Sequence, residues 1–93
     1  MSKSYLISYD LNKKDKDYSS LYEAIKESSN GVWAHILDST WLIKSNLVIT
    51  DIYKNIKNVT DDNDRFFIVE ITNNYYGFLN KDIWPYLEKN IFN

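Results

Sequence analysis

The chain has 93 residues, no cysteine and a formal net charge of −2. This is one domain's length of chain; it has no disulfide or thiolate chemistry and lacks the overall basic footprint of nonspecific nucleic-acid binding. Rings make up 16% of the residues, against two Gly and one Pro, which points to a small core built on aromatics rather than a linker or a turn-rich β fold.

No apolar run approaches the roughly 18 residues of a membrane helix, and Met1-Ser2-Lys3-Ser4-Tyr5 carries no signal-peptide core. The expectation is a cytoplasmic protein without membrane contact, one domain over residues 1–93 with a C-terminal extension at 73–93.

Residues 5–11 read as a strand, with Tyr5, Ile7, Tyr9 and Leu11 on one face and Leu6, Ser8 and Asp10 on the other. A polar loop follows at residues 12–17. It holds Lys13, Lys14 and Lys16, the densest basic group, and Asp17, an N-cap candidate. Tyr18, Leu21, Tyr22 and Ile25 have helical spacing. Asn30 or Gly31 can end that helix in the left-handed conformation. Residues 32–37 and 40–44 read as two strands around Asp38-Ser39. Ser resists the positive φ of the tightest hairpin turns, so a loop longer than two residues is expected.

Ile49, Ile52, Tyr53 and Ile56 form a second helical stripe, with Asn46 or Thr50 as its cap. An acidic turn at residues 61–64 leads into a near-continuous apolar run at residues 65–72, which suits a central strand buried on both faces. Tyr75, Tyr76, Phe78 and Leu79 can form a fifth short strand or an ordered extension. Asp82 can cap a last helix with Pro85 at its third position, where a missing N–H does no harm; Ile83, Trp84, Leu87 and Ile91 share its face. The order β-α-β-β-α-β predicts a ferredoxin-like α+β fold, a four-stranded antiparallel sheet with two helices on one face. The other face needs a cover, from the C-terminal extension or from a second copy.

Asp10, at the end of the first strand, is an oxygen ligand of the kind Mg²⁺ or Mn²⁺ prefers. One carboxylate per chain makes an incomplete site, which a homodimer facing two copies of Asp10 would double. The alternative is a loop-entry Asp bonded to backbone amides. Asp38, Ser39 and Thr40 can contact phosphate or simply build the turn. His35, the only histidine, reads as a packed strand residue. Without Cys and with one His no zinc set exists. The acidic turn lacks the Gly and Glu of a calcium loop, and there is no phosphate-binding Gly motif. Trp33, Trp41 and Trp84 can stack bases or pack the core.

Tyr5-Leu6-Ile7-Ser8-Tyr9-Asp10-Leu11-Asn12, the segments at residues 17–26 and 67–72, Gly77-Phe78-Leu79, and above all Leu37-Asp38-Ser39-Thr40-Trp41-Leu42-Ile43-Lys44 resemble the small CRISPR-associated integration-subunit family. The similarity is greater to its SinR-like relatives. It spans residues 5–84 and implies a ferredoxin-like homodimer with a role in nucleic-acid processing or antiviral defence. It also implies that Asp10 is the residue associated with metal and nuclease activity; in a nuclease dimer built on two copies of Asp10, Ser8, Tyr9 and Ser39 are the expected supporting contacts. A noncatalytic module that binds a defence-system protein is the competing expectation, since a small acidic protein can occupy a basic groove.

Overall fold

The structure, a computed structural model, describes residues 2–11 and 18–92. The Asp17 cap and the Lys13, Lys14 and Lys16 group lie outside the described residues.

Strand β1 (Lys3–Asp10) alternates as its sequence dictates. Tyr5, Ile7 and Tyr9 are buried on one face, and Leu6, Ser8 and Asp10 point to the other. Helix α1 (Ser19–Ser28) buries Leu21, Ala24 and Ile25 at helical spacing. Gly31 then takes φ 84°, where a side chain would be strained. β2 (Val32–Leu37) and β3 (Thr40–Ser45) form the hairpin. Leu37 pairs directly with Thr40, so the loop is only the two residues Asp38-Ser39, shorter than expected. No described non-glycine residue has positive φ. The irregularity is absorbed by a register shift between His35 and Leu37.

Helix α2 (Ile49–Lys57) buries Ile52 and Ile56. Its N-cap is Val48, with no side-chain cap bond, so neither Asn46 nor Thr50 caps it. The stripe buried against the sheet holds this helix in place, as is usual for one this short. Strand β4 (Arg65–Ile71) completes the sheet, whose order is β2-β3-β1-β4 with every pair antiparallel. This is the ferredoxin-like arrangement of the βαββαβ chain.

β4 is an edge strand, not the central one. Its apolar run serves two environments: Phe66 and Ile68 pack towards the helices, whereas Phe67 and Val69 face the other side and are 66% and 37% exposed. The central strands are β1 and β3. The helix-backed core joins Tyr5, Ile7, Tyr9, Trp41 and Ile43 of the sheet to Leu21, Ile25, Ile52 and Ile56. Each such aliphatic residue, fully buried, contributes roughly 1.5–3 kcal/mol.

The second face is half covered. Helix α3 (Ile83–Tyr86) begins after Asp82, which holds the N-cap position without a side-chain cap bond, and carries Pro85 at its third residue. It runs into a π-helical turn, Leu87–Ile91. Leu87 and Ile91 are buried on Ala34 and Leu42, and the Ser4 hydroxyl donates to the Ile91 carbonyl. Residues 74–80 form no strand; they are the ordered extension. No described helix is long and apolar enough to cross a membrane.

Candidate functional site

The open half of the helix-free face is built from the far ends of β1, β3 and β4. Ser8 sits between Thr40 on one side and Phe67 on the other, and Asp10 is opposite Arg65. The Ser8 and Thr40 hydroxyls are 3.5 Å apart. A shallow depression of about 260 Å³ there is lined by Ser8, Tyr9, Asp10, Arg65, Phe66 and Phe67.

The Asp10 side chain is exposed and, among the described residues, forms no hydrogen bond or ion pair. Its cross-strand neighbour Arg65 is occupied elsewhere: one guanidinium nitrogen donates to the carbonyls of Asp62 and Asp64, each at 2.9 Å. The acidic turn therefore meets Arg65 through its backbone carbonyls. Asp64, buried, closes the turn by accepting the Asp61 N–H at 2.8 Å. Among the described residues there is no group of three or more His, Cys, Asp or Glu that could hold a metal.

Ser8, Asp10 and Thr40 thus come together on one face. The Tyr9 side chain goes to the other, because neighbouring strand residues point oppositely. Its hydroxyl accepts from the Trp41 indole N–H at 3.1 Å and donates to the Asp38 carbonyl at 3.2 Å. The same carbonyl is 3.0 Å from His35 Nε2. A carbonyl only accepts, so that nitrogen carries the proton. The His35 ring is stacked on Trp41 at 4.3 Å. Asp38 thus enters this cluster through its backbone, and its side chain stays exposed with that of Ser39. The Ser39 carbonyl accepts the Tyr9 N–H at 3.0 Å, which ties the hairpin tip to β1 next to Asp10.

Burial pushes the Tyr9 phenol up from its ordinary 10.0 to about 12, although the Trp41 hydrogen bond pulls the other way. At neutral pH this tyrosine is a fixed neutral strut. Trp41 is fully buried and Trp33 packs against the same core, with Lys26 Nζ 4.8 Å from the Trp33 ring centroid.

The sequence reading missed the apolar half of this surface. Phe67, Val69 and Leu37 stand exposed around Ser8 and Thr40, and Tyr76 and Phe78 project from the extension. The signal was the i, i+2 spacing of Phe67 and Val69, masked by the intervening apolar residues. Neither protein-family models nor curated proteins match the chain.

Proposed function

We propose that the protein is a homodimer that processes nucleic acid, its protomers meeting across the open half of the helix-free face. One observation carries this reading: the exposed Asp10 carboxylate, without a partner among the described residues, lies on the same face as the exposed Phe67 and Val69. An exposed apolar surface of that kind favours a protein partner, and self-association about a two-fold axis brings a second Asp10 to the same rim.

Two carboxylates with Ser8 nearby form an oxygen donor set suited to Mg²⁺ or Mn²⁺, which commonly take one or two carboxylates plus substrate phosphates. A divalent ion bound there would stabilise phosphoryl charge and activate water. Asp10 supplies the negative charge. Ser8 and Thr40 offer hydroxyls to a phosphate, with Asp38 and Ser39 at the exposed hairpin tip beside them. Tyr9 positions rather than contacts, since it holds that tip to β1 from beneath. Purified protein with Mn²⁺ is expected to cleave single- or double-stranded RNA or DNA, and Asp10→Ala to lose cleavage while keeping its fold. If the wild type leaves every one of these substrates intact, or Asp10→Ala cuts equally well, the catalytic reading fails.

The acidic balance of the chain and its protruding rings favour one second reading, a noncatalytic module bound to a basic protein of a defence system. In that case the rings of Phe67, Tyr76 and Phe78 supply the contact, and Asp10→Ala has no effect on partner capture.

A further inference from the structure

An apolar cavity of about 380 Å³ lies between the helix-free sheet face and the C-terminal extension. Its floor is Leu6, Ile36 and Leu42, and its far wall includes Leu79, Trp84 and Leu87. An apolar space of about 150 Å³ is enough to take a benzene ring. Beside it, Tyr76 and Phe78 are 102% and 101% exposed, the two most solvated large hydrophobic side chains among the described residues. Tyr76 also lines the cavity.

The two rings stand on the short segment, residues 74–79, that forms one wall of the cavity. A two-fold axis beside that segment makes rings and cavity complementary, so that each copy offers a ring to the other and receives one. The area fits as well. Two fully exposed rings remove about 150–250 Å² each when buried. Phe67, Val69 and Leu37 continue the same face. Together they approach the ~800 Å² per partner of a stable interface, with the apolar character typical of homodimers.

We propose that Phe78 of each protomer inserts into this cavity of a second copy, with Tyr76 sealing the rim. The inference rests on the homodimer reading and names the residue that each copy contributes to the other. A ring buried in a partner's pocket acts as an anchor, whereas flat rim contacts contribute little.

The test measures mass against concentration by light scattering for the wild type and for the Tyr76→Ser/Phe78→Ser double variant. Both rings are fully exposed in the protomer, so circular dichroism stays unchanged. The expected result is a wild-type dimer and a variant that dissociates at least roughly tenfold more readily. A wild-type dimer with an unaffected variant overturns the ring-in-cavity inference and leaves the homodimer intact. A wild-type monomer at every concentration overturns both. The chain has no cysteine, which permits a second readout. Oxidising a mixture of Phe78→Cys and Thr72→Cys chains is expected to give the mixed disulfide, because Thr72 lines the cavity. Disulfides formed only between two Phe78→Cys chains would contradict the insertion.

Discussion

The indole N–H of Trp41 donates to the Tyr9 hydroxyl at 3.1 Å, between two buried side chains of the sheet. That bond joins the two central strands by their side chains, and the Tyr9 hydroxyl passes the connection on to the Asp38 carbonyl. The hairpin tip and the residue before Asp10 are thereby held together from the helix side. The candidate site on the opposite face inherits its geometry from this network.

Replacing Trp41 by Phe removes the donor and leaves a gap in the core. The expected cost is about 1–3 kcal/mol. A urea melt measures it, and a change within experimental error would mean that the network carries no stability.

The raised Tyr9 pKa ties stability to alkaline pH. The fold holds the phenol neutral up to about 12, while the unfolded chain releases that proton near 10.0. The unfolded state therefore gains from deprotonation first. Tyr9's contribution is whole below pH 10.0, declines as pH rises above it, and is lost by about 12. Melting temperatures across that window are expected to fall more steeply for the wild type than for Tyr9→Phe. Parallel curves would show that Tyr9 is not the group responsible.

Leu87 is buried at the start of the π-helical turn, against Ala34 and Leu42. Leu87→Ala should cost about 2–5 kcal/mol, a large share of the ~5–15 kcal/mol typical of native proteins. Denaturant unfolding tests this. A cost below about 1 kcal/mol would show that the C-terminal cover is loosely packed.

The alternation at Tyr5, Ile7 and Tyr9 and the helical stripes through Leu21, Ile25, Ile52 and Ile56 were legible because each element meets the core with one face. Periodicity then follows directly from geometry. β4 was not legible in the same way. Phe66 and Ile68 pack beneath the helices while Phe67 and Val69 lie on the open face, so both faces are apolar and the pattern of a central strand is imitated. The two-residue hairpin loop is not legible locally, because it depends on the register shift between His35 and Leu37 that lets Leu37 pair with Thr40 across Asp38-Ser39. At the candidate site, Asp10 could be singled out from its place at the strand end. Arg65 as its cross-strand neighbour depends on long-range register, which no local pattern encodes.

The homodimer across the open half-face is tested most directly by solution mass of the wild type and of Phe67→Lys, a change at a side chain already 66% exposed. The account predicts twice the chain mass for the wild type and a folded monomer for the variant. A wild-type monomer, or a variant that remains dimeric, would contradict it.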